Sequence, residues 1–248
     1  MDDQAVKKIS KRRPFTLLAG VYLIILYLCL CLIIIFVGRQ QVASINLPTP
    51  TVAISPVPHI LVQQSSSQTN VLHEDFSSNK LDWGLYYDFG KLEIIDGKLI
   101  LQSNIGGGTV GISDKFAPTS LKYYLQADFS TDIETTSAYG LVFGMNQSLD
   151  TYYLFDLLPR SSGVQLFKYN AGKWTPLTNY LPIKTNSFPQ SNVLSVYFDN
   201  GNMQLYVNGD LASKYLDQDY FQSKDVGVYA DNMGYRLIVD DFFVNDIK

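Results

Sequence analysis

An uninterrupted apolar run near the start of the chain constrains this sequence more than any other feature. Residues 15–37 contain no charged side chain, whereas residues 1–14 contain five basic ones. As a helix, these 23 residues would extend about 34 Å, enough to cross a hydrocarbon core of roughly 30 Å. Only a helix satisfies all its backbone polar groups in lipid. The run therefore predicts a transmembrane helix at 15–37, in contact with the lipid bilayer.

The charges that flank the run predict its orientation. Basic residues cluster before it, and only Arg39 follows closely, so the positive-inside rule places 1–14 in the cytoplasm as a tail. A cleaved signal peptide is the alternative, but its apolar stretch would be shorter and would end at a small-residue site. Residues 38–70 are rich in Pro, Ser and Gln and are predicted to be a disordered linker. These features predict a single-pass protein of the cell membrane, with its C-terminal part outside the cytoplasm.

Residues 71–248 differ in composition and are predicted to form one domain. They carry 13 Lys/Arg against 21 Asp/Glu, a formal charge of −8, which disfavours nucleic acid as a partner. Both cysteines, Cys29 and Cys31, lie in the apolar run, so this domain folds without disulfides. At about 178 residues it is large enough to do so.

Alternation of apolar and polar residues predicts strands throughout this domain. Asp96-Gly97 and Asn200-Gly201-Asn202 separate alternating runs and are strong hairpin signals. No helical stripe interrupts the pattern, so we expect an all-β, antiparallel sandwich or barrel. The predicted strands are 91–95, 98–103, 121–129, 138–145, 151–158, 163–169, 192–199, 203–207, 225–230 and 235–245.

Several segments of this domain carry recognisable motifs. They include Glu74-Asp75-Phe76, Leu81-Asp82-Trp83, Lys173-Trp174, Tyr206-Val207-Asn208-Gly209, Val226-Gly227-Val228 and Val239-Asp240-Asp241-Phe242. The order and spacing of these motifs resemble those of 3-keto-disaccharide hydrolase domains, in a membrane-anchored bacterial version; these domains belong to the concanavalin A-like lectin/glucanase superfamily. The resemblance implies a jelly-roll sandwich over most of 71–248, and the motifs specify a fold better than a chemistry.

The sequence departs from that family at the polar positions of its hydrolase-like members. No Arg follows the strand at 140–143, and Leu154 and Asp156 align where the family has Glu and Gln. Histidines occur only at His59 and His73, which excludes a His-based nucleophilic triad and a His/Cys zinc site in the domain. We therefore predict no catalytic residues. Enzymatic activity of the glycoside hydrolase type is the alternative, using Asp residues such as Asp88, Asp156 or Asp231.

Aromatic side chains interleaved with Asp and Asn are typical of sugar-binding surfaces, because rings stack on pyranose faces and polar groups bind hydroxyls. The same aromatics also suit a sandwich core. The candidate ligand-binding residues are Trp83, Tyr86, Tyr87, Asp88, Tyr139, Tyr152, Asp156, Trp174, Tyr229, Asp231 and Asn232.

No cofactor is required by this interpretation, but a structural calcium ion is a hypothesis. Calcium prefers oxygen ligands, and first and last strands commonly pair in such sandwiches. Glu74 and Asp75 would then approach Asp240 and Asp241.

The sequence favours a membrane-anchored extracytoplasmic recognition module that binds carbohydrate without catalysis, with a glycan as its partner. The alternatives are a glycan hydrolase and a structural or protein-interaction protein of the envelope. No sequence feature specifies the oligomeric state.

Overall fold

The computed structural model describes residues 71–104, 106–231 and 234–247, which form strands and one short 3-10 turn. Within these ranges no helix is long and apolar enough to cross a membrane. The predicted transmembrane helix at 15–37, the tail before it and the linker at 38–70 lie outside the described residues.

The strands follow one another with short connections. In chain order they are β1 (Val71–Glu74), β2 (Trp83–Leu85), β3 (Gly90–Ile95), β4 (Lys98–Ser103), β5 (Thr109–Ser113), β6 (Lys122–Thr131), β7 (Tyr139–Asn146), β8 (Thr151–Leu158), β9 (Gly163–Asn170), β10 (Lys173–Pro176), β11 (Leu181–Pro182), β12 (Asn192–Asp199), β13 (Asn202–Val207), β14 (Asp210–Leu216), β15 (Asp225–Ala230) and β16 (Leu237–Asp246), with the 3-10 turn at Pro159–Ser161 between β8 and β9.

Two antiparallel sheets of eight strands each build the domain. Sheet A has the order β14-β13-β12-β6-β16-β4-β3, with β1 also paired to β16. Sheet B has the order β10-β9-β8-β7-β15-β5-β2, with β11 also paired to β9. Neighbours in each sheet are often distant in sequence, as expected for a jelly-roll sandwich. The prediction of an all-β antiparallel sandwich is confirmed for the described residues.

The backbone angles of the two predicted hairpin turns confirm them. Asp96 and Gly97 have φ of 52° and 72° between β3 and β4, and Asn200 and Gly201 have φ of 48° and 87° between β12 and β13. Two successive positive φ values fit the type I′ turn, whose twist matches that of the flanking strands. Each predicted strand begins and ends within two residues of an observed one.

The main core lies between the sheets. On β6, Tyr123, Leu125, Ala127 and Phe129 alternate with partly exposed residues and are fully buried. They pack in one cluster with inward residues of sheet B such as Phe155. Burial of each large apolar side chain contributes about 1.5–3 kcal/mol, so this alternating pattern is the main stabilising feature of the sandwich.

Sheet B is unusual because two of its central strands are buried on both faces. Seven consecutive residues of β7 and seven of β8 are buried. A second apolar cluster therefore covers the outer side of sheet B, away from the main core. This additional layer distinguishes the outer side of sheet B from that of sheet A and positions the candidate site.

Candidate functional site

Strand β8 supplies the base of the candidate site. Successive side chains alternate between the faces of a sheet, so Tyr152, Leu154 and Asp156 lie on the outer side of sheet B, whereas Tyr153 and Phe155 pack in the main core. All five are buried, because other side chains cover the outer side.

The sheet order brings an acidic group beside an aromatic one. Asp156 pairs with Gly140 on β7, and Gly140 pairs with Tyr229 on β15. Their strands are therefore two spacings apart, about 10 Å. A Cβ atom at Gly140 would lie 2.1 Å from the Phe155 carbonyl oxygen, so the lack of a side chain lets the backbone of β8 lie close to β7.

Aromatic side chains cover the outer side of sheet B around Tyr152 and Tyr229. Trp174 projects from edge strand β10 and is 39% exposed. Its ring centroid lies 4.8 Å from that of Tyr169, 5.7 Å from that of Tyr152 and 6.2 Å from that of Tyr229. Such edge and tilted contacts hold the indole while leaving part of it in solvent. We call the following set the aromatic face: Tyr86, Tyr87, Phe89, Tyr152, Phe167, Tyr169, Trp174 and Tyr229.

The aromatic face encloses a shallow cavity of about 150 Å³. The cavity is bounded by rings of the face and by the backbone of the loop that contains Gly107 and Gly108. Gly108 has φ of 78°, and a Cβ atom there would lie 2.3 Å from the Tyr229 hydroxyl oxygen. Glycine is required at this position for both reasons, and its small size lets the loop lie close to the ring.

Asp150 connects three tyrosines of the aromatic face. Its carboxylate accepts hydrogen bonds from the hydroxyls of Tyr87 at 2.5 Å, Tyr86 at 3.1 Å and Tyr169 at 3.2 Å. Tyr86 also donates to the Gln147 carbonyl at 2.9 Å. The β7–β8 turn, the loop after β2 and strand β9 are thereby joined, which fixes the orientation of these rings.

Burial, and to a smaller extent the hydrogen bond to Asp150, raises the pKa of the Tyr86 hydroxyl to about 12. The same two causes raise the pKa of Tyr87 further. Burial also raises the pKa of Tyr152 and Tyr229. These hydroxyls are therefore neutral hydrogen-bond donors at physiological pH.

Asp156 is the buried carboxyl of the site. It is 6% exposed, and its Oδ1 atom has no hydrogen-bond partner among the described residues. Burial, reinforced by the charge of Asp231, raises the pKa of Asp156 to about 7. Asp231 accepts a hydrogen bond from the Tyr229 hydroxyl at 3.3 Å. The site therefore contains two neighbouring carboxyls, and burial together with the charge of Asp231 favours the neutral form of Asp156.

The structure brings together seven of the predicted ligand-binding residues at or beside the aromatic face. These are Tyr86, Tyr87, Tyr152, Asp156, Trp174, Tyr229 and Asp231.

Four predicted residues are placed elsewhere. Trp83 is 4% exposed and packs against Phe76, Phe116 and Phe242, so it is a core residue and does not line the face. Tyr139 is likewise buried in the main core. Asp88 is exposed on the loop after β2, and Asn232 lies outside the described residues.

Sequence reasoning missed Phe89, Phe167, Tyr169 and Asp150. The alternation of β9 places Phe167 and Tyr169 on one face, and this signal was sufficient to find them. Asp150 lies in a turn, with φ of 52°, and carries no comparable signal.

The four carboxylates considered for calcium lie near one another in the fold but have separate partners. Strand β1 pairs with β16, as expected, which places Glu74 opposite Phe242. Asp240 pairs with Lys98, and Asp241 lies 3.1 Å from His73. Asp75 accepts from the Ser77 amide. Within the described ranges no three metal-ligating side chains form a group, and calcium remains a hypothesis, tested by thermal unfolding with and without EDTA.

Comparison with known proteins identifies the fold. No protein-family model and no curated protein sequence matches this chain. Among solved structures, the carbohydrate-binding module CBM66 from Bacillus subtilis has a TM-score of 0.54 at 14% identity, covering 64% of this chain and 92% of that chain. A Bacillus subtilis protein of galectin-like fold also has a TM-score of 0.54, at 13% identity, covering 73% and 100%.

An enzyme domain shares the same architecture. The catalytic domain of an endo-1,3-beta-glucanase (laminarinase) from Thermotoga petrophila has a TM-score of 0.52 at 11% identity, covering 73% of this chain and 99% of that chain. At these identities the likeness shows a common jelly-roll fold, shared by binding modules and hydrolases alike.

Proposed function

We propose that the chain is a membrane-anchored recognition module that binds carbohydrate outside the cytoplasm, without catalysis. The observation that carries the proposal is the aromatic face, in which the partly exposed ring of Trp174 borders a cavity lined by other aromatic rings. Structures of the same fold include a carbohydrate-binding module, which supports the choice of ligand class.

The chemistry of the face suits a sugar ring. The C–H faces of a pyranose stack on aromatic side chains, and Trp174 offers the largest exposed ring of the face. Asp231, beside the Tyr229 hydroxyl and partly exposed, carries oxygen atoms that accept hydrogen bonds from sugar hydroxyls. The cavity of about 150 Å³ is small beside typical ligand pockets, so the proposed ligand places one sugar unit in it and extends along the surface.

Binding is tested by tryptophan fluorescence on the full-length protein in detergent. The chain has two tryptophans, so Trp83→Phe leaves Trp174 as the only reporter. Titration with a panel of oligosaccharides should change its emission, and Trp174→Ala should weaken binding measured by calorimetry at least ten-fold. A matched control is Tyr206→Ala, which removes a ring from sheet A. If no oligosaccharide changes the emission and the chain reproducibly captures a protein, the protein-interaction alternative is favoured.

A glycan hydrolase, as in the 3-keto-disaccharide hydrolase family, is the second candidate function. The observation in its favour is Asp156, because a buried carboxyl with a pKa of about 7 is suited to donate a proton, and Asp231 lies near it. Turnover of an oligosaccharide that Asp156→Asn abolishes while binding persists would establish this candidate. If the wild type and Asp156→Asn bind the oligosaccharide equally and neither protein turns it over, the result supports the recognition module.

The membrane topology belongs to the same proposal. The charge-free run at 15–37 and the basic residues before it support a cytoplasmic N-terminus and an external C-terminal domain. Protease added outside intact cells should digest an epitope placed after residue 248. Protection of that epitope until the membrane is opened would reverse the proposed orientation.

A further inference from the structure

A second groove lies at one end of the sandwich, apart from the aromatic face. It has a volume of about 450 Å³, three times that of the aromatic cavity, and falls within the usual range for ligand pockets. The end of β6, the β6–β7 loop, the turn after β8 and the loop before β12 form its walls. We call it the end groove.

The lining of the end groove is polar. Three serines, three threonines and three amide side chains contribute to it, together with Tyr139 and the exposed ring of Phe188. Hydroxyls and amides both donate and accept hydrogen bonds, which matches a ligand rich in hydroxyl groups. Phe188 is 45% exposed and supplies an apolar surface for one side of that ligand.

A buried network holds one wall of the groove in place. Asn192 is 2% exposed. Its Oδ1 atom accepts from the Asn186 amide at 2.7 Å and from Asn208 Nδ2 at 3.0 Å, and its Nδ2 atom donates to the Asn186 carbonyl at 3.1 Å. The loop that carries Asn186 and Phe188 is therefore fixed before any ligand binds, which reduces the entropic cost of binding.

Two charged side chains line the groove, Glu134 and Arg160. Within the part of the chain that the structure describes, neither takes part in an ion pair. Arg160 lies in the 3-10 turn after β8 and is exposed, so its planar set of donors faces no acidic partner from the protein. Arginine binds carboxylates through two parallel hydrogen bonds, so the exposed guanidinium of Arg160 is suited to an acidic group of a ligand.

We propose that the end groove is a second binding site, for a sugar that carries a carboxylate, such as a uronate unit. Arg160 pairs with the ligand carboxylate, and Glu134 accepts hydrogen bonds from ligand hydroxyls. Phe188 packs against the face of the sugar ring. Because Glu134 repels additional anionic groups, the site selects a single acidic unit rather than a densely charged polyanion.

A matched pair of ligands tests the charge requirement. Methyl glucuronide carries a carboxylate where methyl glucoside carries a hydroxymethyl group. Saturation-transfer NMR titrations of the full-length protein in detergent should show the glucuronide binding at least ten-fold more tightly. Equal affinities, or no binding of the glucuronide at millimolar concentration, would overturn the proposal.

Variants assign the effect to the groove. Arg160→Gln should weaken glucuronide binding about ten- to hundred-fold, as expected for loss of a charge-assisted pair. Lys184→Gln is the control, because it removes the same charge from an exposed side chain outside the lining. Tyr206→Ala should leave glucuronide binding unchanged, because Tyr206 lies on β13 of sheet A, outside the lining of the end groove. Wild-type affinity in Arg160→Gln would exclude Arg160 from any ligand contact.

Discussion

At the scale of single residues, hydrogen bonds to carboxylates organise the aromatic face as much as ring packing does. Asp150 gathers three tyrosine hydroxyls that come from different segments. Its φ of 52° lies in the left-handed region, which Asn and Asp adopt more readily than other non-glycine residues. A single side chain in a turn thus determines the position of several rings.

We expect Asp150→Asn to keep the turn but weaken the tyrosine cluster. An amide has one acceptor oxygen and no charge, so all three hydroxyls lose charge assistance and at least one loses its acceptor atom. The free energy of unfolding should fall by about 1–2 kcal/mol in urea titrations. Glycan binding at the aromatic face should fall with it, whereas exposed Asp88→Asn should change neither quantity. Wild-type stability and binding in Asp150→Asn would show that ring packing alone holds the face.

Asp156 gives a prediction for pH dependence. Its folded-state pKa of about 7 exceeds the unfolded value of 3.8, so the folded state favours the neutral carboxyl. Its stabilising contribution is complete below about pH 4 and is lost as the pH rises toward and through 7.

Asp156→Asn should remove this dependence because the amide stays neutral. The variant should match the wild type near pH 3.5 and exceed its free energy of unfolding by roughly 3–4 kcal/mol at pH 8. Urea titrations across this pH range measure the difference. Parallel pH profiles of the two proteins would contradict the expected raised pKa.

At the scale of elements, type I′ turns set the hairpin registers. Gly201 follows Asn200 between β12 and β13, and Gly172 follows Ala171 between β9 and β10; both glycines have φ near 87°. Their surroundings differ. A Cβ at Gly201 would lie 2.3 Å from the Asp217 carbonyl oxygen, whereas a Cβ at Gly172 would have no neighbour within 4 Å.

These two glycines form a matched pair for mutation. Gly172→Ala adds only the conformational strain of a positive φ and should cost about 1 kcal/mol of unfolding free energy. Gly201→Ala adds a steric conflict with backbone and should cost about 3 kcal/mol or more. Chemical denaturation of both variants gives the comparison, and equal losses would contradict the role of close packing at Gly201.

At the scale of the whole molecule, an ion pair links the two sheets. Lys168 on β9 of sheet B donates at 2.7 Å both to Asp217 Oδ2 and to the Asp219 carbonyl, in the segment after β14 of sheet A. Its ammonium lies 4.6 Å from the Phe221 ring centroid, and the Tyr153 hydroxyl also donates to Asp217. Although burial opposes the charged form, the bonds from Lys168 and Tyr153 lower the pKa of Asp217.

We expect Lys168→Met to destabilise the domain by about 2–4 kcal/mol at pH 7, because it leaves the largely buried Asp217 carboxylate without its cation. The lowered pKa means that Asp217 stabilises the fold above about pH 4, and this contribution is lost as the pH falls. The difference from wild type should therefore shrink near pH 3. Urea titrations of the wild type and the variant at pH 7 and pH 3 measure this difference in stability.

Lys98→Met is the control for this pair. Lys98 and Asp240 form an ion pair on the surface, with 45% and 37% of their side chains exposed. Such pairs contribute at most about 1 kcal/mol, so the loss should be small. A loss as large as that of Lys168→Met would mean that burial does not distinguish the two pairs.

Local patterns in the sequence predicted the strands and turns well, because alternation and the Asp-Gly and Asn-Gly signals depend on neighbouring residues only. The short strand β5 was missed because its five residues are buried on both faces and show no alternation. The exposed edge strand β14 was also missed, since it packs little of its surface in the core.

The location of the candidate site depended on the tertiary structure. Alternation divides each strand into two faces but does not state which face meets the other sheet. From the sequence, Trp83 and Trp174 were therefore equally good candidates for ligand contact. In the structure Trp83 packs in the core, whereas Trp174 covers the outer side of sheet B. Asp156 and Tyr229 lie level with each other, two strands apart, only because β15 pairs with β7, more than 70 residues earlier in the chain. Such pairings are long-range, and only the folded sheet decides them.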